Sequence, residues 1–174
     1  NDDTDDNDDN DLAPYPLDTC YLSASGFSEA DCVYIGQRYD AERGFRPREA
    51  ECWVMLHNAE PAGVRTSTHI PSGGWYSSAW RSPSGQVFVN DAVRGAVYRC
   101  ASLTYPQGGL WSDDRFPAAI HGVWGLDDAH VYAWGGNRAG FPLYRWDGAQ
   151  WAEMAAPGFE VFALHGTAPT CLWA

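Results

Sequence analysis

The sequence predicts an all-β fold of repeated four-stranded antiparallel sheets, and three observations predict it. A short apolar triplet recurs as Val33-Tyr34-Ile35, Val87-Phe88-Val89, Val131-Tyr132-Ala133 and Leu172-Trp173-Ala174, about every 40–55 residues. Each triplet follows a cluster of turn formers, at residues 25–31, 81–85, 125–129 and 166–170, where Gly, Ser, Asp and Pro supply turn geometry. The chain also carries 18 Gly and 11 Pro in 174 residues, which punctuates any long helix.

Each repeat justifies four strands in order. First strands are predicted at 21–24, 76–80, 120–124 and 159–164. Second strands centre on Tyr34, Phe88 and Tyr132, and each forms a hairpin with the strand before it. Third strands fall at 52–57, 96–100 and 142–146, and fourth strands at 63–70, 109–112 and 149–154. In the third repeat the link is Asp147-Gly148, which favours a two-residue type I′ turn with positive φ at both positions. The second repeat uses a longer loop over 102–108. The first spends its extra residues in a loop over 38–50.

A lone sheet of this kind leaves both faces partly apolar, and stacking sheets around an axis buries them. Four strands per repeat of this length is the pattern of a β-propeller blade. The division is then an acidic leader over 1–19 and blades over about 20–74, 75–117 and 118–157, with a partial fourth over 158–174. Three blades are complete and the fourth stops inside its second strand, so further blades of the same polypeptide or another subunit are expected to cover its open side. Alternating aromatics such as Tyr132/Trp134 and Tyr144/Trp146 should fill the space between sheets. Trp111, Trp124, Trp134, Trp146 and Trp151 are expected to be mostly buried there.

The third repeat carries a family resemblance. Val123-Trp124-Gly125, Val131-Tyr132-Ala133, Gly135-Gly136, Leu143-Tyr144-Arg145-Trp146-Asp147-Gly148 and Trp151 resemble secreted bacterial propeller repeats of the sialidase/kelch-like kind. The resemblance covers residues 21–174 and is sharpest over 118–154. It implies a propeller of about six to eight blades and no single activity. The sialidase Asp-box is only half present over 82–88, because Ser84 stands where its Asp belongs.

Composition narrows the partners. Net charge is −12, with eleven Arg and no Lys. Nucleic acid is excluded as a partner, since a phosphate backbone calls for a basic surface. No apolar run approaches the roughly 20 residues of a membrane-spanning helix. The chain begins at Asn1 without an initiator Met, which suggests a processed chain. An extracellular or cell-surface location is expected, with a lipid anchor upstream of residue 1 as one way to hold it there.

The first eleven residues hold seven Asp. Asp3, Asp5, Asn7, Asp9 and Asp11 alternate as calcium-loop oxygen ligands do. The sharp-turn Gly and closing Glu of such a loop are missing, so a solvated acidic spacer stands beside calcium as the reading. Five cysteines stand at 20, 32, 52, 100 and 171 without a C-x-x-C pair, which removes zinc-ribbon and thioredoxin readings. In an oxidising compartment at least one disulfide is expected between two of Cys20, Cys32 and Cys52.

Trp80, His121, Trp124 and His165 fall in predicted first strands, nearest the axis, and are the candidate ligand-binding residues. The same positions also suit packing between blades. His57, His69 and His130 lack metal-ligand spacing. No G-x-S-x-G motif or phosphate loop occurs, and no catalytic residue is assigned. Glu29, Asp31, Asp127 and Asp128 occupy blade turns, where carboxylates commonly bond to local backbone. The function expected is a non-catalytic extracellular binding or assembly module, with carbohydrate or a cell-surface protein as ligand class. The alternative is part of a propeller glycosidase or lyase whose active site other blades complete.

Overall fold

A computed structural model describes residues 19–28, 31–40, 46–58, 64–68, 75–102, 110–137 and 140–174, and no helix occurs among them. The first sheet holds β1 (Thr19–Ser28), β2 (Asp31–Asp40), β3 (Arg46–Asn58) and β4 (Val64–Thr68). The second holds β5 (Tyr76–Arg81), β6 (Val87–Asp91), β7 (Ala96–Cys100) and β8 (Trp111–Arg115). The third holds β9 (Ala119–Asp127), β10 (His130–Gly136), β11 (Leu143–Trp146) and β12 (Trp151–Glu153). A two-stranded sheet, β13 (His165–Ala168) and β14 (Cys171–Trp173), ends the chain. Within each four-stranded sheet neighbours follow chain order and all pairs are antiparallel.

The first strands face one another: β1 packs along β5, β5 along β9, and β9 along β13. Strand alternation then sends side chains to opposite neighbours. Val87 and Val89 of β6 face the first sheet, in one cluster with Val33, Ile35 and Val54. Phe88, between them, faces the third sheet with Val131, Ala133 and Trp146. On β10 the next residues over, Tyr132 and Trp134, face the fourth unit with Val161 and Leu164. Three cores therefore separate four stacked units.

The expected tryptophans divide. Trp134 and Trp146 are buried, as is Trp80, whereas Trp111, Trp124 and Trp151 are only partly so. The last three pack at the margins of the cores. Trp134 crosses its partner strand at Gly122, where any Cβ would overlap the indole ring. A glycine there is what lets the ring lie flat.

Polar groups tie the second blade to the third. Asn90 is fully buried. Its amide donates to Ser77 Oγ at 2.8 Å and to the Ile120 carbonyl at 2.7 Å, and its oxygen accepts from the Ser78 N–H at 2.6 Å. These bonds satisfy the β5 bulge between Tyr76 and Ala79. At the outer strands Arg99 is paired with Asp114, which also accepts from Trp151 Nε1 at 2.9 Å. The Arg99 guanidinium lies 4.1 Å from the centre of the Trp146 ring, a cation–π contact across the interface.

Several expectations need correction. Residues 159–164 form no strand; the first strand of the fourth unit begins at His165. Val161 and Leu164 are buried while Phe159 and Phe162 are exposed, a spacing of three that fits a segment laid across a sheet and not a strand within one. The loop expected over 38–50 is largely strand, since β2 and β3 pair as far as Asp40 opposite Arg46. The Asp147-Gly148 turn is not a two-residue loop. Trp146 pairs with Trp151 and leaves four residues between them. Gly148 does have φ +100°, but Asp147 Oδ1 accepts from the N–H groups of Ala149 and Gln150, at 2.8 and 2.9 Å. That side-chain turn competes with the type I′ geometry.

Candidate functional site

The four first strands converge on one cavity of about 450 Å³, within the range of small-molecule sites. Its wall is built from equivalent positions. Ala24 pairs with Tyr34, Trp80 with Phe88, Trp124 with Tyr132, and His165 with Trp173, so each occupies one place in its own hairpin. All four line the cavity. Of the four predicted ligand residues, the structure thus brings Trp80, Trp124 and His165 together.

They contribute differently. Trp80 is 7% exposed and packs on Phe88, with ring centres 5.7 Å apart. Most of that indole serves the core, and only an edge meets the cavity. Trp124 is half-buried. It stacks on Tyr132 at 6.4 Å and meets the exposed His165 ring edge-on at 5.9 Å. Trp124 and His165 form the accessible aromatic wall, and Phe162, 82% exposed, stands beside them.

His121 does not join the site. It is exposed and approaches Gly136, three residues along β9 from Trp124, and its carbonyl accepts from Ser77 Oγ at 3.1 Å. It lies on the predicted first strand, outside the lining of this cavity.

It also missed three serines. Ser23, Ser25 and Ser78 line the cavity, and each hydroxyl oxygen accepts an N–H from the next blade's first strand. Ala79 donates to Ser23 at 3.2 Å, Arg81 to Ser25 at 3.0 Å, and Val123 to Ser78 at 2.8 Å. These amides point away from their own hairpin partners, so the hydroxyls satisfy what is otherwise an open strand edge.

The chemistry of the lining is narrow. Among the described lining residues His165 is the one titratable group. Asp127 and Asp128 lie outside it, in the β9–β10 turn. Asp127 accepts from Ala129 N–H at 2.9 Å and from His130 Nδ1 at 2.7 Å, and Asp128 accepts from Ser84 Oγ at 2.7 Å. Burial pushes the Asp127 carboxyl up, but the Ala129 and His130 hydrogen bonds outweigh it and leave the pKa below the usual carboxylate value. Among the described residues no group of three or more His, Cys, Asp or Glu is arranged to hold a metal ion. Asp3, Asp5, Asn7, Asp9 and Asp11 lie outside the described residues, as do Glu29 and His69.

The disulfide expectation is left open, because the side chains of Cys20 and Cys52 lie outside the described residues. Cys20 and Cys52 stand opposite Gln37 from its two sides, two strand spacings or roughly 9–10 Å apart. Cys32 lies further along, opposite Gly26 and His57. Cys100 is buried in the second blade and burial raises its thiol pKa; Cys171 is exposed in the fourth unit.

No family model matches the chain, and no curated protein matches it. Solved structures do. A protein of unknown function from Bacteroides caccae, solved at 1.35 Å, is similar with a TM-score of 0.58 and 12% identity, over 88% of this chain and 54% of that one. A catalytically inactive variant of virginiamycin B lyase from Staphylococcus aureus, crystallised with quinupristin, is similar with a TM-score of 0.55 and 15% identity, over 80% of this chain and 42% of that one. The chain thus spans about half the length of these structures. At such identity the likeness is one of fold, and the fold is all-β and propeller-like.

Proposed function

We propose that this chain is part of a non-catalytic extracellular propeller module that binds its ligand at the axial cavity. One observation carries the reading. The first strands of successive blades bring Trp80, Trp124 and His165 to equivalent positions around a single cavity, and the described lining of that cavity offers aromatic faces and hydroxyls without a carboxylate. Paired carboxylates are what glycoside hydrolysis ordinarily requires. An aromatic and hydroxyl lining suits recognition of a sugar or peptide surface.

The partner reading follows from the fourth unit. Trp173 is 51% exposed on a two-stranded sheet, and the surface it leaves open suits further strands of the same polypeptide or of another subunit. Calcium bound by the acidic head, and an extracellular or surface location, complete the proposal. A lyase or glycosidase site completed by other blades stays as the second reading, favoured by His165 beside Trp124 in the cavity and by the lyase among the similar structures.

The test is an NMR titration of the tryptophan indole signals with panels of oligosaccharides, peptides and small aromatics. The Trp124 indole should move with a bound ligand, and Trp124→Ala should abolish the response. If no member of any panel moves it, the axial site is wrong. Turnover of a bound ligand that is lost in His165→Ala would instead select the enzyme reading.

A further inference from the structure

Ser23 and Ser25 differ from Ser78 in one respect. The Ser78 hydroxyl accepts from Val123 N–H and passes its own proton to Asn90 Oδ1 at 3.1 Å. The hydroxyls of Ser23 and Ser25 accept from Ala79 and Arg81 N–H, yet their protons meet no acceptor among the described residues. Both serines line the cavity. A hydroxyl whose oxygen is fixed from the blade side has its O–H left to turn elsewhere. The cavity is the space it adjoins.

The two donors are spaced by the strand itself. Residues two apart on β1 stand about 6.8 Å apart and on one face, and their shared partners two apart on β5, Ala79 and Arg81, confirm that face. An extended peptide presents carbonyl oxygens on one side at the same repeat, since every second residue points the same way. Beyond the serines, Trp124, His165 and Phe162 offer an apolar wall for one side chain. The protein's net charge of −12 disfavours a carboxylate as the acceptor and tolerates a neutral carbonyl.

We infer that the axial cavity takes an extended, uncharged peptide segment, with alternate carbonyls accepting from Ser23 and Ser25 and one apolar side chain against Trp124. This rests on the axial cavity being the ligand site. It adds what occupies that site and which hydroxyls read it.

The probe is a panel of blocked, uncharged hexapeptides, each with one central aromatic or branched apolar residue, titrated into the isotopically labelled chain beside an oligosaccharide panel. The best peptide should shift the Ser23 and Ser25 amides together with the Trp124 indole. Ser25→Ala should weaken it about fivefold, the effect of one neutral hydrogen bond. Ser25→Thr, which keeps both the blade contact and the donor, should hold affinity within about twofold. Equal weakening by Ala and Thr would overturn the donor role, and an unchanged melting temperature in Ser25→Thr keeps that comparison readable. If oligosaccharides shift Trp124 and no peptide does, the peptide inference falls while the axial site stands. If neither panel shifts it, both fall.

Discussion

Phe88 and Trp173 occupy the same place in their hairpins, opposite Trp80 and His165 respectively. Phe88 is completely buried, and its third-blade equivalent Tyr132 is 1% exposed, yet Trp173 is 51% exposed. The residues are alike in size and apolarity. What differs is the neighbour: the third blade covers Phe88, the fourth unit covers Tyr132, and no described residue covers Trp173 to the same degree. Burial in a stacked fold belongs to the interface, so a residue's contribution is set by the next unit in line.

The comparison breaks most easily at the covered end. Phe88→Ala should cost about 3–5 kcal/mol in denaturant unfolding, the range for large aromatics deleted from cores. A loss under about 1 kcal/mol would mean that the second and third blades do not pack as described.

Asn90→Ala comes next. It removes a buried group bonded to Ser77, Ser78 and Ile120 and leaves buried partners unsatisfied. A loss of roughly 1–3 kcal/mol is expected, with increased hydrogen exchange at Ser78 as the local readout. Asp114→Asn should cost less, about 1 kcal/mol, because the Arg99 and Asp114 side chains are 25% and 23% exposed and solvent screens the pair. Added salt should shrink the difference between the Asn variant and the parent.

The smallest effect is at the surface turn. Hydrogen bonds from Gln150 and Ala149 N–H hold the Asp147 carboxyl below its ordinary pKa. A lowered folded pKa gives stability that is present above the unfolded value of about 4 and is lost as pH falls through the folded value. Asp147→Asn should therefore lower stability slightly at neutral pH and converge on the parent as pH falls through the folded value, which flattens the acid limb of the stability–pH profile. An unchanged acid limb would show that the turn bonds are not made in solution.

Much of the architecture was legible because one pattern repeats in phase. A two-residue alternation around Tyr34, Phe88 and Tyr132 identifies second strands wherever both faces are covered. The same logic placed Trp80, Trp124 and His165 at one cavity, since repeated positions in stacked units must meet near an axis. It failed at 159–164, where an apolar run mimics a strand but buries Val161 and Leu164 three residues apart. His121 lies on the predicted strand but outside the cavity lining, because strand membership does not give height along the strand. The serines were invisible for another reason. Their role depends on amides of the next blade, fifty-six positions away for Ser23 and Ser25 and forty-five for Ser78, and no local pattern records that.

Each unit is buried by the next, and a paired substitution puts this to the test. Phe88→Ala and Trp173→Ala should be unfolded side by side in the same chain. Phe88→Ala should show the large loss given above and Trp173→Ala a change within about 1 kcal/mol, nearer the behaviour of exposed positions. Equal and large losses at both positions would contradict it, because Trp173 would then be covered as fully as Phe88.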